Sequence, residues 1–286
     1  MGRIYWLASY PKSGNTWLRV FLSNYWRNGD QPASINDLDG GPIASARGIF
    51  DELAGLEASD LTPDEIDRYR PRVYEQLSDN SKEDLFLKVH DAFTRNAEDE
   101  PILSKAATAG VIYLIRNPLD VAVSFAHHWN QPVARMVDAL CQDDYAIVAN
   151  PKRLHNQFRQ RLLSWSHHVC SWVDEPDLNL LVIRYEDMNL DAEATFTKIV
   201  NFAGLEVDRS RVHKALEFSR FERLQAQESK EEFCEKMPLA QSFFRKGMVG
   251  SWREILTEEQ VEQLVITHNE VMQRFGYLSK TGDLIY

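Results

Sequence analysis

The sequence predicts an α/β fold: a single three-layer domain with a central parallel β-sheet flanked by helices. Four short, nearly continuous apolar runs are typical of parallel strands covered on both faces, and these are Ile4 to Ala8, Leu85 to Val89, Val111 to Ile115 and Leu180 to Ile183. Apolar residues recur at helical spacing in Thr16 to Trp26, Leu119 to Trp129, Asn156 to Val173, Ala192 to Phe202 and Glu258 to Phe275. Strands that alternate with helices indicate a parallel sheet, and ligands of such sheets lie beyond the carboxyl ends of the strands.

Three segments depart from this alternation within the predicted domain, which covers residues 1–286. Residues 29–84 are rich in Asp, Glu, Pro and Gly, with one helical stretch that Thr62-Pro63-Asp64-Glu65 introduces as a capping box. Residues 130–155 and 225–244 are irregular. We expect all three segments to line the acceptor site, and we expect 225–244 to form a mobile lid, because long irregular segments often do.

The charge balance and the cysteines restrict the classes of function. With 32 Lys and Arg against 43 Asp and Glu, the net charge of −11 disfavours a nucleic-acid partner, whose phosphates the surface would repel. No apolar run approaches the roughly 18 residues that span a bilayer, and no secretory signal pattern opens the chain. The three cysteines are widely spaced, which suits a reducing compartment and gives no metal-ligand spacing. We therefore expect a cytoplasmic protein that uses no metal, no membrane and no nucleic acid.

The segment Tyr10-Pro11-Lys12-Ser13-Gly14-Asn15-Thr16-Trp17 connects the first predicted strand to the first predicted helix. Backbone N–H groups at such a turn, together with the positive end of the helix dipole, form an anion site. Lys12 adds a mobile cation, and the short polar side chains add hydrogen-bond donors. The order of residues is not that of a Walker A loop, which ends in Gly-Lys-Ser/Thr. This difference weakens the alternative of a P-loop kinase.

Two further blocks carry candidate anion ligands. Arg116-Asn117-Pro118-Leu119-Asp120-Val121-Ala122-Val123-Ser124 follows the third strand directly, and an arginine fork with a nearby hydroxyl suits a phosphate clamp. The alternative is an Arg116–Asp120 pair at the helix start with a buried serine. Phe244-Arg245-Lys246-Gly247-Met248-Val249-Gly250-Ser251-Trp252 places two adjacent cations beside two glycines. It suits a loop wrapped around an anion, and the alternative is a surface loop with incidental cations.

Together the three blocks resemble those of sulfotransferases that use 3′-phosphoadenosine 5′-phosphosulfate (PAPS). The family has Arg-Lys-Gly-x-x-Gly-Asp-Trp in the third block, and this chain departs from that pattern at Ser251. The blocks occur in the family's order and cover both ends of the chain, and His127-His128 after the second block also match. The resemblance implies a P-loop-like fold and an enzyme of EC 2.8.2 type, which transfers the sulfuryl group of PAPS to a hydroxyl and releases 3′,5′-ADP.

The resemblance also implies which residues contact the nucleotide. The 5′-phosphosulfate would be bound by the first loop, through Lys12, Ser13, Gly14, Asn15, Thr16 and Trp17. The 3′-phosphate would be bound by Arg116, Ser124, Arg245, Lys246 and Gly247. The segments Arg184-Tyr185-Glu186-Asp187 and Ser219-Arg220-Phe221 resemble family segments near the base. The adenine would therefore contact Trp17, Tyr185, Ser219 and Phe221.

The second predicted strand ends in a candidate base. Side chains alternate along a strand, so Lys88 and His90 lie on the same side, and imidazole accepts a hydroxyl proton near neutral pH. The family has its catalytic histidine at this point of the sequence. We therefore expect His90 to be the base, with Lys88 on the sulfuryl oxygens and Lys12 on the leaving phosphate. The resemblance adds that Ser124 holds Lys12 back until the acceptor binds.

Two other functions remain open at this level: a P-loop-type kinase and a nucleotide-binding sensor without catalysis, against which Lys12, Lys88 and His90 argue. Trp, Phe and Met in the variable segments favour a small apolar or aromatic acceptor. The Asn15 variant of the first loop resembles bacterial members of the family. Glu258 stands where cytosolic relatives have the valine of a dimer contact. We therefore expect a monomer or an atypical homodimer.

Overall fold

The computed structural model describes residues 2–150 and 152–286. Met1, at the start of the predicted domain, and Pro151, within the segment 130–155, lie outside the described residues. The chain forms two compact units. The first contains residues up to 10 together with 40–113 and 143–182, and the second contains residues 11–39, 114–142 and 183–286.

The strands are β1 (Ile4–Ser9), β2 (Leu85–Val89), β3 (Thr108–Ile115), β4 (Ala146–Ile147), β5 (Gln160–Arg161) and β6 (Leu180–Arg184). Four of them form a parallel sheet in the order β2-β1-β3-β6, and β1 pairs with β2 so that Ile4 lies opposite Leu85. β4 and β5 form a separate antiparallel pair. The predicted α/β fold and its four strands are confirmed. The strand order reverses on the two sides of β1, and ligands of open α/β sheets bind at such a switch point.

The helices are α1 (Asn15–Arg27), α2 (Arg47–Ala54), α3 (Pro63–Asn80), α4 (Pro118–Trp129), α5 (Val133–Cys141), α6 (Trp165–Val173), α7 (Tyr185–Leu190), α8 (Ala192–Phe202), α9 (Arg209–Phe218), α10 (Phe221–Lys230) and α11 (Glu258–Arg274). Most predicted helices are confirmed, but the one predicted over Asn156 to Val173 is wrong in its first half. Its first half contains β5, and the helix itself begins only after Ser164, whose side chain accepts from the His167 N–H.

The first unit is built around helices of the segment 29–84. A core cluster there contains Phe50, Ala58, Ile66, Val73 and Phe158. The predicted capping box at the start of α3 is confirmed, because Thr62 accepts from the Glu65 N–H while the Glu65 carboxylate accepts from the Thr62 N–H at 2.8 Å. On β1, the buried Trp6 indole donates to Thr108 Oγ1 at 2.8 Å. The segment is more helical than predicted, since α2 was not expected.

The second unit places part of the segment 225–244 in its core. The cluster of buried residues there consists of Val20, Ile35, Leu224, Phe233 and Phe244. The segment begins inside α10, so it is not irregular throughout as predicted, and the predicted irregular segment 130–155 likewise contains α5. The mobile lid stays a prediction. Within the described residues, no helix is both long and apolar enough to cross a membrane.

Candidate active site

The loop after β1 presents a helix N-terminus without a side-chain cap. Lys12 has a left-handed backbone conformation with φ of 71°, and Gly14, with φ of 102°, is the N-cap of α1. Among the described residues, no side chain caps α1, and its first turn contains no acidic residue. The partial positive charge of this turn is therefore not offset by a side chain. A Cβ at Gly14 would lie 2.8 Å from Tyr185 Cδ2, so both the backbone angle and the close approach of Tyr185 require glycine.

Arg116, directly after β3, joins the first loop to the third. Its Nη1 donates to Lys12 O at 3.0 Å, and its Nη2 donates to Met248 O at 3.1 Å. The guanidinium also lies over the ring of Tyr185, with Cζ 4.2 Å from the ring centroid. Arginine suits this position because its planar fork can bond two carbonyls and stack on an aromatic face at once.

Tyr185 begins α7 and connects this arrangement to the third block. Its hydroxyl donates to Gly247 O at 3.0 Å. Gly247 has φ of 63°, and a Cβ there would lie 2.5 Å from Phe221 Cδ2, so the Phe221 ring packs directly on the loop backbone. All three motif blocks thus meet in the second unit. We refer to the residues that join them as the loop cluster: Lys12, Gly14, Arg116, Tyr185 and Gly247.

Asp120 of α4 fixes the end of the third block. Its carboxylate accepts from Gly250 N at 2.7 Å, from Ser251 Oγ at 3.1 Å and from Trp252 N at 3.1 Å. These bonds satisfy backbone N–H groups at the start of the short 3₁₀ turn over residues 251–254. The sequence suggested Asp120 only as a partner for Arg116. Ser251, where the family has aspartate, donates to Asp120, which a carboxylate at that position cannot do.

Arg245 lies close enough to Arg116 of the loop cluster for the two positive charges to repel each other. Burial lowers the pKa of Arg245, and Arg116 lowers it further, while Asp120 and Glu254 act in the opposite direction. Burial also lowers the pKa of His127, and Arg245 and Lys246 add to that effect. A pKa lowered by neighbouring cations reports a positive local potential. A bound anion would relieve this repulsion, which makes the region a good anion site.

An aromatic ring from the segment 225–244 covers Lys12. The Lys12 Nζ lies 3.7 Å from the centroid of Phe243, which is a cation–π distance. His128 meets the same ring edge-on, with centroids 5.6 Å apart. Glu228 of α10 accepts from the N–H groups of Phe243 and Phe244 at 2.6 and 3.0 Å. Helix α10 therefore holds this ring over the lysine.

The remaining predicted nucleotide ligands also belong to the second unit. Those of the first loop and α1 that are buried are Ser13, Asn15 and Thr16. Trp17 meets Tyr185 edge-on, with centroids 6.1 Å apart, and Ser124 is half-buried on α4. Ser219 is buried, and its Oγ donates to Ala215 O at 2.8 Å. The Ser219 hydroxyl predicted to lie at the adenine therefore bonds to the adjoining helix α9.

His90 and Lys88 belong to the first unit, and both are half-buried. His90 follows β2, and its Nδ1 lies 2.8 Å from Ser9 O at the end of β1. A carbonyl oxygen can only accept, so Nδ1 carries the proton and Nε2 carries the lone pair of the neutral ring. Ser9 Oγ lies 3.3 Å from the same nitrogen. The ring is thus held in the tautomer whose Nε2 can accept a proton.

His168 of α6 holds the main chain at His90. Its Nε2 donates to His90 O at 3.1 Å, and its Nδ1 accepts from the Tyr113 hydroxyl at 2.8 Å. Burial lowers the pKa of His168 to about 4, although the hydrogen bond to His90 acts in the opposite direction. His168 is therefore neutral near pH 7 and serves as a fixed donor. We refer to Ser9, His90, Tyr113 and His168 as the His90 cluster.

The sequence profile of the sulfotransferase domain matches residues 3–276 of this chain. The chain belongs to the sulfotransferase family. The predicted family is thereby confirmed, and the chain is an enzyme of the transferase class. Membership decides against the kinase and the non-catalytic sensor as alternatives.

Named relatives match most of the sulfotransferase chain. Sulfotransferase 2A1 of Rattus norvegicus is 28% identical over 279 residues, which cover 94% of this chain and 84% of that protein. Flavonol 3-sulfotransferase of Flaveria bidentis is 23% identical over 291 residues, which cover 96% and 83%. These relatives come from a mammal and a plant. The bacterial character suggested by Asn15 therefore stays a prediction.

Solved structures of similar fold contain a nucleotide. A mouse sulfotransferase, SULT7A1, complexed with PAP shares 24% identity and a TM-score of 0.60, over 98% of this chain and 87% of that one. Retinol dehydratase in complex with androsterone and PAP shares 20% identity and a TM-score of 0.62, over 99% and 82%. At these identities the likeness shows the fold, and it confirms the sulfotransferase architecture.

The sequence alone did not indicate several side chains that contact the predicted site residues or the loops that carry them. Asp120, Phe243 and His168 gave no signal of their roles, because each acts through a contact distant in sequence. Glu186 gave a weak signal, since it is a carboxylate next to Tyr185 in the segment that resembles a family segment near the base. It is buried, which raises its pKa, and it accepts from Asn117 N at 3.0 Å and from the Tyr277 hydroxyl at 2.9 Å.

Proposed function

We propose that this sulfotransferase moves the sulfuryl group of PAPS to a hydroxyl of a small acceptor, with His90 as the base and Lys12 and Lys88 stabilising charge. The observation that carries the proposal is the loop cluster, in which Arg116 bonds the first and third loops and lies over the Tyr185 ring. Three loops that bring helix N–H groups and cations together suit a ligand with several anionic groups.

Two buried donors in these loops support the fit of such a ligand. Among the described residues, neither Ser13 Oγ nor Arg116 Nε has a hydrogen-bond partner. A buried donor left without a partner costs on the order of 1–3 kcal/mol. A phosphate or sulfate oxygen that accepts from these atoms would offset that cost. The residues present therefore fit the phosphosulfate nucleotide.

When bound, PAPS supplies the activated sulfuryl group. The residues proposed to hold its 5′ end are Lys12, Ser13, Gly14, Asn15, Thr16 and Trp17. Those proposed to hold its 3′-phosphate are Arg116, Ser124, Arg245, Lys246 and Gly247. The adenine is assigned to Trp17, Tyr185, Ser219 and Phe221. Ser219 contributes through packing, because its hydroxyl already donates to Ala215 O.

The proposed chemistry follows from the hydrogen bonding of His90 and from the positive charges of the two lysines. His90 Nε2 accepts the proton of the acceptor hydroxyl, because His90 Nδ1 already donates to Ser9 O. Lys12 and Lys88 place ammonium groups where negative charge develops. By analogy with an oxyanion donor, each is worth about 2.7–4 kcal/mol. Ser124 is proposed to restrain Lys12 until an acceptor binds.

We further propose a small apolar or aromatic acceptor. One relative is named for a flavonol, and a structure of similar fold holds androsterone. In this chain, Phe243 and His128 supply aromatic surface beside Lys12. Large polyanionic glycans would favour a basic groove, which the net charge of −11 does not support.

The proposal extends to compartment and assembly. Its support for a cytoplasmic setting is that the chain has three widely spaced cysteines, an odd number that suits a reducing compartment. Its support for a monomer or an atypical homodimer is Glu258, which lines a groove together with Trp252 and Val261. A carboxylate in that groove disfavours an apolar contact with a second copy.

The first test is thermal stabilisation by 3′,5′-ADP and by 5′-AMP at equal concentration. A ligand at about 100 times its dissociation constant adds roughly 2.7 kcal/mol to the free energy of unfolding. We expect a clear increase in Tm with 3′,5′-ADP alone, followed by turnover of PAPS in a screen of phenols and alcohols. Equal shifts, or no shift, would refute the nucleotide assignment.

A matched pair of arginine variants sharpens this test. Arg116→Lys removes the stacked fork from the loop cluster. Arg211→Lys removes a similar one, which lies 4.5 Å from the Tyr25 ring and donates to backbone carbonyls of Tyr25 and Trp26. We expect the free energy of 3′,5′-ADP binding to become weaker by about 1.5–3 kcal/mol in Arg116→Lys. It should stay unchanged in Arg211→Lys.

A further inference from the structure

We infer that three residues position His90 and hold its ring in the reactive orientation. They are Asp91, its buried partner Arg70, and His168. The inference rests on the proposed role of His90 as the base. These residues act through the backbone that carries the imidazole ring. They lie outside the three motif blocks, and all belong to the first unit.

Two donors on α6 fix the backbone immediately after the ring. His168 Nε2 donates to His90 O at 3.1 Å, and Trp172 Nε1 donates to Asp91 O at 3.1 Å. The Tyr113 hydroxyl occupies His168 Nδ1 at 2.8 Å, which leaves the proton of the neutral His168 ring on Nε2, facing His90 O. Consecutive carbonyls are therefore held by side chains of one helix. The bond from His90 Nδ1 to Ser9 O then sets the rotation of the ring.

The side chain of Asp91 fixes the same backbone from another direction. Asp91 Oδ1 lies 2.8 Å from Arg70 Nη1, and the two side chains are 2% and 1% exposed. Arg70 is held in turn by the Tyr74 hydroxyl, which lies 3.1 Å from its Nε, and by Asp67, whose Oδ1 lies 3.3 Å from its Nη1. The residue that follows the base is thus tied by a buried ion pair to helix α3.

The ion pair is poorly suited to stabilise the fold for its own sake. Replacing a buried ion pair by apolar residues is often neutral or stabilising, because desolvation of the two charges offsets their attraction. Within the described residues, Arg70 Nη2 and Asp91 Oδ2 also have no hydrogen-bond partner, which adds to that penalty. A role in orienting the backbone accounts for the ion pair better, since the pair joins α3 to the residue next to His90.

The test compares Asp91→Asn with Asp67→Asn. Both variants remove a carboxylate that faces Arg70 Nη1, but Asp91 is the one adjacent to His90 in the chain. With PAPS and a fixed acceptor, we expect Asp91→Asn to lower kcat by about tenfold to a hundredfold, because small displacements of a reacting group have effects of that size. The dissociation constant for 3′,5′-ADP and the KM for PAPS stay unchanged in both variants, and Asp67→Asn, which reaches His90 only through Arg70, loses less kcat than Asp91→Asn. Equal losses of kcat in both variants would overturn the inference.

A spectroscopic readout separates this inference from the proposed function. Nitrogen chemical shifts of ¹⁵N-labelled histidine report which ring nitrogen carries the proton. We expect His90 to be protonated at Nδ1 in the wild-type protein and to show a mixture of tautomers in Asp91→Asn. An unchanged His90 spectrum would overturn the positioning role. A wild-type protein that neither binds 3′,5′-ADP nor turns over PAPS would instead refute the proposed function, whatever the His90 spectrum shows.

A second pair of variants covers the case in which Asp91→Asn does not fold. His168→Gln keeps an N–H donor that can reach His90 O, whereas His168→Leu has none. We expect kcat to be about tenfold higher in His168→Gln than in His168→Leu, with the Nδ1 tautomer of His90 retained in the former. Equal kcat values together with identical His90 spectra would overturn the inference.

Discussion

The loop cluster and the His90 cluster differ in how their side chains are held. In the loop cluster, Arg116 donates to two backbone carbonyls and Tyr185 to a third, so that most bonds end on the main chain. In the His90 cluster, one reactive ring depends on buried polar side chains, and His168 is 78 residues away from His90 in the sequence. The loop cluster is assembled from residues that stand in sequence motifs, whereas His168, which holds the main chain at His90, belongs to no motif.

The largest expected effect separates the two clusters. His90→Ala removes the proposed base, whereas the hydrogen bonds of Arg116 and Tyr185 in the loop cluster are made with other residues, so we expect kcat to fall by about a hundredfold to ten-thousandfold. The dissociation constant for 3′,5′-ADP, measured by calorimetry, stays at the wild-type value. His213→Ala, on the exposed face of α9, serves as the control and retains full turnover. Full activity in His90→Ala would remove His90 from the mechanism and end the distinction between the clusters.

The same contrast explains how much the sequence alone could predict. Strands β1 and β2 and helix α8 were predicted to within a residue, since their apolar patterns are strong. Helix α10 was missed because Leu224 is its one buried residue, and α2 was missed because it buries only Phe50. The local motifs predicted Lys12 and Arg116, and the end of a strand predicted His90.

The supporting residues were beyond prediction for a physical reason. Asp120 bonds residues about 130 positions further on, and such a pairing exists only once the chain has folded. Phe243 looked like one aromatic among several in an irregular segment. His168 belongs to no motif, and its burial does not by itself reveal that it donates to His90 O. A buried polar side chain shows its partner only in three dimensions.

The pH dependence of stability gives a second, smaller test of the His90 cluster. The pKa of His168 is about 4 in the folded protein against 6.5 ordinarily, so the unfolded chain binds the proton more readily. Protonation of His168 in the unfolded chain therefore lowers the free energy of unfolding as the pH falls below about 6.5. The loss reaches about 3 kcal/mol at pH 4 and is absent above pH 7. Urea unfolding of the wild type and of His168→Gln from pH 4.5 to 7.5 measures this pH dependence. If the free energies of unfolding of the two proteins change with pH in parallel, the prediction is contradicted.

A last pair of variants tests the backbone requirement of the loop cluster. Gly247 and Gly55 have φ of 63° and 64°, but a Cβ at Gly247 would meet the Phe221 ring at 2.5 Å, whereas one at Gly55 would meet no described atom within 4 Å. Alanine at either position lowers the free energy of unfolding by about 1–2 kcal/mol through backbone strain. Overpacking adds about 1–3 kcal/mol at Gly247.

Because the Phe221 ring must move to admit that methyl group, Gly247→Ala should also weaken 3′,5′-ADP binding, and Gly55→Ala should not. Chemical denaturation and calorimetry on both variants measure the two effects separately. If both lose the same stability and bind 3′,5′-ADP equally well, the contact between Phe221 and the third loop carries no part of the nucleotide site. If Gly247→Ala alone loses affinity, the site depends on backbone positions that no side-chain motif describes.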